Sequence, residues 1–389
     1  MRRGPSLLAF FTAALTLWSW GPETLAHKPI TSPFTFYEDV LPITRAKCGQ
    51  CHSPEGIAPM SLLTHESAVP WGESLKLELV AGHMPPWGSL VPADRFAATP
   101  RLTARELNVL LTWAAGGTPP GDPAKGVDDS PAPAPWPMGP PDAVLPLPET
   151  TMSPDTPATT RELVLPLAYS GQRLAAVDLL PGQASVVRSA RISLRRSSPE
   201  GPSDERLLAL WVPGDAPVRL PMGSGWTIAP GSEIRLRITY RKRWDREREP
   251  ATDRSQVGLY FVAAAAGTQE AGAITLLASR SAAESSTSAD RRASGLFVAS
   301  DPLRAVAIWP EPALAGAAVR VDTVAGDGTR VLLAAFSARA GWERRYWFAE
   351  PLELAPGSRL QVTATWPGST TTPVEGTPLL GVDVLSRRR

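Results

Sequence analysis

Cysteine and histidine are scarce in this 389-residue sequence, which contains two of the first and four of the second. Both cysteines lie in one short stretch, Cys48 to His52, so the chain cannot form the disulfide framework that stabilises many small exported domains. No histidine follows His83, and the long C-terminal part of the chain therefore has no imidazole to offer a metal. The 39 basic and 38 acidic residues balance, and no Lys/Arg run indicates a nucleic-acid partner.

Long apolar runs are missing beyond the N-terminus. An apolar run from Leu7 to Trp20 follows a positively charged start, ends at Gly21-Pro22, and is shorter than the ~20 residues that span a bilayer. Residues 1–26 are therefore predicted to be a signal peptide of a periplasmic or otherwise exported protein, and the alternative is an uncleaved signal that anchors the chain to the membrane. Cleavage after Ala26 would make His27 the N-terminus, where amine and imidazole together can chelate a metal; the alternative is a plain exposed terminus.

Residues 27–117 have the pattern of a small helical unit. Apolar spacing predicts one helix from Phe36 to Lys47 and another from Glu73 to Ala81. The third helix has the clearest start, because Thr103 and Glu106 form the T-x-x-E pattern of a capping box, and a Gly-Gly pair ends it.

Proline is abundant, at 42 residues, and favours turns, edge strands and linkers over long helices. Residues 118–135, rich in Pro, Gly and Asp, are predicted to be a semi-rigid linker. Beyond it, short segments alternate apolar and polar residues between turn signals, as β-strands do. The clearest segments are 186–194, 235–240, 257–262, 319–324 and 360–365. Many short strands without intervening helices predict two β-sandwiches, at 136–270 and 271–389, with an exposed loop from Ser279 to Gly295.

The stretch Cys48-Gly49-Gln50-Cys51-His52 matches the pattern C-x-x-C-H of covalent haem attachment. Two thiols at this spacing can each add to one vinyl group of a single haem, and His52 then lies at the iron. A zinc half-site and a redox dithiol are the alternatives. Zinc needs a second pair of ligands, and the chain has no other cysteine, while a thioredoxin-like dithiol needs a βαβ context that this region lacks.

An electron-carrying haem needs a sixth ligand, and Met60, His65, His83 and Met84 are available. We favour Met84, because Met84-Pro85-Pro86 predicts a rigid extended loop that cannot join a helix. His83 can compete as a neutral imidazole, and Met60 is expected to pack near the attachment loop. Trp87 is expected at the haem edge or in the core.

The same stretch resembles a known family. The motifs are FYEDVLPI at 36–43, CGQCH at 48–52, APMSL at 58–62, Trp71 and MPPW at 84–87. They are similar to those of the small cytochrome c domains fused to bacterial copper monooxygenase-like proteins, over essentially all of residues 30–122. The resemblance implies a class I-like cytochrome fold with one haem c per chain and with His52 and Met84 as axial ligands. The expected fold class is thus a small all-α cytochrome c domain followed by an all-β region of about two β-sandwiches.

The rest of the chain is similar, more weakly, to the two-sandwich core of type II copper, ascorbate-dependent monooxygenases such as the peptidylglycine hydroxylating enzymes. The matching segments are 136–148, 180–194, 211–214, 220–240, 253–261 and 342–373. The resemblance implies one copper per sandwich, held mainly by histidines. Here the expected His-His pair aligns with Arg188-Ser189, a further histidine aligns with Thr239, and the His-x-His turn aligns with Trp309 to Ala313. A guanidinium has no lone pair for a metal, so copper is not expected.

The expected function is therefore one-electron transfer by an exported mono-haem c-type cytochrome that exchanges electrons with redox partner proteins. The β-region would serve docking or scaffolding without catalysis. One alternative is a haem-fed copper monooxygenase-like enzyme, which the missing histidines argue against. Another is a haem-based sensor or binding protein, which an open sixth position would favour.

Overall fold

The computed structural model describes residues 31–86, 92–97, 101–127, 134–196, 204–262, 269–277, 279–280, 291–367 and 379–386. The predicted signal peptide, His27 and Trp87 lie outside the described residues. In the part of the chain so described, no helix has both the length and the apolar character needed to cross a bilayer.

The helical part is small and lies at the N-terminal side of the described chain. Its α-helices are α1 (Leu41–Lys47), α2 (His65–Ala68), α3 (Gly72–Val80) and α4 (Ala104–Ala115). A π-helical turn, Phe36–Val40, leads directly into α1, and 3-10 turns lie at Val69–Trp71, Ala93–Arg95 and Pro123–Gly126. The predicted capping box of α4 is present, since Thr103 Oγ1 accepts from the Glu106 N–H at 3.1 Å and the Glu106 carboxylate accepts from the Thr103 N–H at 2.7 Å.

The helices enclose a core of their own, in which Phe36, Leu110 and Trp113 are fully buried. Residues 118–127, the first part of the predicted linker, pack against this core. The carbonyl of Pro119 accepts from the Trp113 indole and from the Phe36 N–H, at 3.1 and 2.9 Å. Proline lacks an N–H but keeps its carbonyl acceptor, so a proline-rich segment can still be held by donors of its neighbours.

The remainder of the described chain is β-structure. The first ten strands are β1 (Ala143–Pro146), β2 (Thr150–Met152), β3 (Ala158–Pro166), β4 (Arg173–Leu180), β5 (Val187–Arg196), β6 (Asp204–Trp211), β7 (Val218–Arg219), β8 (Ser224–Thr227), β9 (Ser232–Arg241) and β10 (Ala251–Asp253). The others are β11 (Gln256–Val262), β12 (Gln269–Leu277), β13 (Ser279–Arg280), β14 (Arg291–Val298), β15 (Leu303–Pro310), β16 (Ala318–Val324), β17 (Arg330–Ser337), β18 (Tyr346–Leu354), β19 (Arg359–Trp366) and β20 (Leu379–Ser386). Further 3-10 turns lie at Trp244–Arg246 and Pro312–Leu314.

One long sheet joins the two halves of this β-region. It runs β1-β11-β4-β8-β12-β20-β15-β18, with β7 attached to β4. A four-stranded sheet, β3-β9-β5-β6, faces its first half, and a five-stranded sheet, β13-β14-β19-β16-β17, faces its second half. Each facing pair encloses an apolar core, as in a β-sandwich. We call them the first and the second sandwich.

Two sequence expectations differ from this arrangement. The predicted boundary at residues 270 and 271 falls inside β12, which pairs with β8 of the first sandwich and with β20 of the second. The predicted exposed loop from Ser279 to Gly295 is wrong at both ends, because β13 and the start of β14 pair there. Small and polar residues such as Ala, Ser and Arg weaken the strand signal, and pairing with a neighbouring strand overrides it.

Candidate functional site

The two cysteines and His52 lie in a tight loop at the end of α1. The Cys48 N–H donates to the Thr44 carbonyl at 2.9 Å, and the His52 N–H donates back to the Cys48 carbonyl at 2.8 Å. Gly56 lies directly against this loop, since a Cβ at that position would be 2.0 Å from the Cys51 carbonyl oxygen. The backbone therefore folds back on itself so that both thiols and the imidazole reach the same side.

That side opens into a cavity of about 330 Å³, within the size range of pockets that hold small molecules and cofactors. Predicted site residues Cys48, Cys51, His52, Met60 and Met84 all line it. The other lining side chains are mostly apolar. They include Ile57, Leu62, Trp71, Leu75, Leu79, Pro85, Pro86, Leu102 and Trp342.

The chemical state of the three motif side chains is set mainly by burial. Burial raises the pKa of the Cys48 thiol to about 12 and that of the Cys51 thiol to about 11. Reactive dithiols have a lowered pKa, so this environment is opposite to that of a redox dithiol. Burial also lowers the pKa of His52, while a hydrogen bond with the Met60 backbone acts in the other direction. Burial thus favours the neutral form of His52, which is the form that ligates a metal.

His52 also has a buried atom that hydrogen bonding does not satisfy. Among the described residues, no donor or acceptor lies within hydrogen-bonding distance of its Nδ1, although the side chain is only 9 % exposed. A buried polar atom without a partner lowers the stability of the folded state, so its presence indicates that a further group binds at this site. An apolar cavity with two thiols, a neutral imidazole and methionine sulfurs has the donor set of a c-type haem site.

The four candidates for a sixth ligand are placed differently. Met60 and Met84 line the cavity, and Met84 remains 37 % exposed. His65 is held away from it, with Nε2 2.8 Å from the Thr118 carbonyl oxygen. His83 is exposed, and its Nδ1 lies 3.1 Å from a carboxylate oxygen of Glu78. The structure therefore brings both methionines to the cavity and engages both histidines elsewhere.

The first sandwich directly contacts the segment from Cys51 to Ile57. Arg188 on β5 donates from Nη1 to the Ile57 carbonyl at 2.7 Å, and Arg243 donates from Nη1 to the Pro54 carbonyl at 2.9 Å. Cys51 Sγ lies 3.9 Å from the Pro213 carbonyl oxygen in the loop between β6 and β7. The Cys51 thiol therefore faces a surface of the β-region.

The positions that the copper-enzyme resemblance aligns with metal ligands have other partners here. Arg188 bonds the Ile57 carbonyl as above, and the Thr239 hydroxyl lies 3.3 Å from that of Thr160. In the second sandwich, Glu311 forms a two-pronged ion pair with Arg191, at 2.7 and 3.0 Å. Within the described ranges, no three His, Cys, Asp or Glu side chains are grouped so as to share a metal ion.

Sequence reasoning did not assign Trp342 to the site. This side chain lies in the loop between β17 and β18 of the second sandwich, yet it lines the same cavity as Met84. No local pattern around Trp342 indicates such a contact, because the two residues are far apart in the chain.

Comparisons with known proteins assign no family. No family model matches the chain, and no curated protein matches it. Among solved structures, the N-terminal CBM22-1-CBM22-2 tandem domain of Paenibacillus barcinonensis Xyn10C is 11% identical, with a TM-score of 0.17, and the match covers 61% of this chain and 92% of that one. The PBSX exported protein XepA is 9% identical, with a TM-score of 0.19 and coverage of 62% and 91%. TM-scores this low do not assign the chain to a fold family.

Proposed function

We propose that this chain is an exported mono-haem c-type cytochrome that transfers single electrons, with a β-region that serves as a non-catalytic scaffold. One observation carries the proposal: Cys48, Cys51, His52 and Met84 line a single apolar cavity. Cys48 to His52 come from one loop and Met84 from another beyond α3. Apolar packing alone does not explain why two thiols, an imidazole and a thioether line the same cavity.

Each residue has a distinct task in the proposed site. The thiols of Cys48 and Cys51 would hold the haem covalently, each through one of its two vinyl groups. His52 and Met84 would supply a nitrogen and a sulfur to hold the haem iron. When bound, the haem provides a one-electron Fe(III)/Fe(II) couple.

The side chains around the proposed ligands favour Fe(II) over Fe(III), because Fe(II) carries less charge. The wall contains Leu62, Leu75 and Leu79, and such an apolar wall disfavours added charge. A thioether ligand also favours Fe(II) over Fe(III) relative to a second imidazole. We therefore propose a higher reduction potential than that of a bis-histidine site on the same scaffold.

Covalent haem is the direct test. The full chain, expressed with its N-terminal segment in a host that matures c-type cytochromes, should give a haem-stained band on a denaturing gel. The variant Cys48→Ala/Cys51→Ala should lose most or all of that stain at equal protein load. Removal of haem from the wild-type protein by acid acetone would contradict the proposal.

Measurements on the same purified protein distinguish the cytochrome from a copper monooxygenase-like enzyme and from a haem-based sensor. After incubation with Cu(II) and dialysis, metal analysis should find about one iron and no stoichiometric copper per chain. Copper retention together with ascorbate-dependent oxygen consumption would favour the monooxygenase-like enzyme instead. A high-spin spectrum of the untreated ferric protein would favour a haem-based sensor, since it reports an open sixth position.

A further inference from the structure

The backbone that leads into Met84 is held from two directions. On one side, helix α3 ends in a turn at Gly82, whose φ of 66° lies in the left-handed region that glycine favours. The N–H groups of His83 and Met84 then donate to the Glu78 carbonyl, at 2.9 and 3.3 Å. These bonds belong to the helical part and attach the loop to α3.

The carbonyl groups of the same loop are bound by the second sandwich. Arg339, in the loop between β17 and β18, donates from Nη2 to the Gly82 carbonyl and from Nη1 to the His83 carbonyl, both at 2.8 Å. A planar guanidinium presents its donors in a fixed fork, so two neighbouring carbonyls define the position of the loop more closely than one bond would. After Met84, two prolines offer no N–H through which the backbone could be held.

The β17–β18 loop is itself firmly attached. Arg345 at its end is buried and paired with Asp383 on β20, at 2.5 Å. Arg344 is paired with Asp215, which lies in the β6–β7 loop that contacts Cys51. Trp342 in the same loop lines the cavity beside Met84. The loop that lines the cavity through Trp342 and the loop that contacts Cys51 are thus joined by a buried ion pair.

We propose that Arg339 is a positioning residue for the sixth haem ligand, because it holds the loop that presents Met84 to the cavity. The second sandwich would then be part of the haem site, and this inference rests on the proposed function. Arg339 is not among the described residues that line the cavity, and it acts through the carbonyls of Gly82 and His83.

The test uses the full-length holoprotein and compares three variants with wild type. In Arg339→Ala, we expect the weak near-infrared band of the sulfur–iron(III) bond to decrease and the population with an open sixth position to rise about tenfold. Carbon monoxide binding to the ferrous protein measures that population, because the gas needs an open position. Arg339→Lys keeps one cationic donor and should restore part of the band. Arg359→Ala removes an exposed arginine of the same sandwich and should match wild type.

The possible outcomes test the role of Arg339 separately from the proposed function as a cytochrome. Haem staining confirms first that each variant carries covalent haem, and thermal unfolding confirms that Arg339→Lys folds. An unchanged band and unchanged carbon monoxide binding in Arg339→Ala at full haem content would overturn the role of Arg339 alone. Loss of the band equally in Arg339→Ala and Arg359→Ala would also overturn it, since the effect would be general destabilisation. Wild-type protein without covalent haem would overturn the proposed function, and this inference with it.

Discussion

Arg188 Nη1 donates to the Ile57 carbonyl at 2.7 Å, and Arg188 Nε donates to the Arg241 carbonyl at 2.9 Å. One side chain of strand β5 therefore joins the loop after the C-x-x-C-H motif to the end of strand β9. Burial lowers the pKa of Arg188 to about 10, so the guanidinium is still cationic at neutral pH. Arg188 thus attaches the first sandwich to the helical part of the molecule.

Truncation of this arginine should loosen that attachment. Arg188→Ala leaves the Ile57 carbonyl without its donor, and Ile57 is only 8 % exposed. We therefore expect the free energy of unfolding to fall by about 1–3 kcal/mol. Urea unfolding followed by tryptophan fluorescence measures it. Arg196→Ala, at the exposed end of the same strand, is the matched control and should change stability by less than about 0.5 kcal/mol. Equal stability of the two variants would contradict a docking role for Arg188.

Substitution of Met84 and of Met60 should have different effects, because we propose that only Met84 is the sixth ligand. In Met84→Ala the near-infrared band of the ferric protein should disappear and the reduction potential should fall, because the thioether that favours Fe(II) is lost. Met60→Ala is the control, since Met60 lines the same cavity but should not ligate. Survival of the band in Met84→Ala, with its loss in Met60→Ala, would transfer the role to Met60.

The ion pair between Arg345 and Asp383 should be costly to break. Both side chains are buried, and Arg345 also donates to the carbonyls of Leu207 and Leu208 on β6 of the first sandwich. Asp383→Asn leaves a buried cation without its counter-charge, so we expect a loss of about 3–5 kcal/mol in stability. The exposed pair Arg304–Glu353 is the matched control. Glu353→Gln should cost no more than about 1 kcal/mol in the same urea experiment, and a similar loss in both variants would show that burial of the pair does not matter.

Asp178 predicts a dependence of stability on pH. Burial raises the pKa of this carboxyl to about 6, although the Leu179 N–H donates to it at 2.8 Å. The folded state then holds the proton more tightly than the unfolded state, whose pKa is about 3.9. The contribution of Asp178 to stability is therefore most favourable below about pH 4 and is lost as pH rises through the folded pKa. Above the folded pKa, the free energy of unfolding is lower by about 1–3 kcal/mol than below pH 4.

Asp178→Asn should remove this dependence. Urea midpoints at pH 4.5 and 7.5 measure it, and the variant should gain stability relative to wild type mainly at the higher pH. Asp155→Asn, at an exposed position, is the control and should follow wild type at both pH values. An equal shift of Asp178→Asn at both pH values would mean that the carboxyl titrates alike in the folded and unfolded states.

Local patterns predicted much of the secondary structure. The capping box of Thr103 and Glu106 forms as expected, and β5, β9, β11, β16 and β19 cover the five segments predicted as strands, apart from Val186. Such features depend on residues a few positions apart, so a short window of sequence contains the information. The motif at Cys48 to His52 is also local, but the covalent attachment that its spacing indicates stays a prediction.

Contacts between distant segments could not be predicted in this way. Arg339 and His83 are separated by 256 positions, and no pattern near either residue indicates that they meet. The division into two sandwiches also missed that β12 belongs to both, since a strand pattern does not name its partners. The sequence was sufficient to predict a small helical part followed by an all-β region, while covalent haem at Cys48 and Cys51 stays a prediction. The tertiary structure alone brought Met84 and Trp342 to one cavity and the β-region arginines to the loops beside it, because long-range packing depends on the whole chain at once.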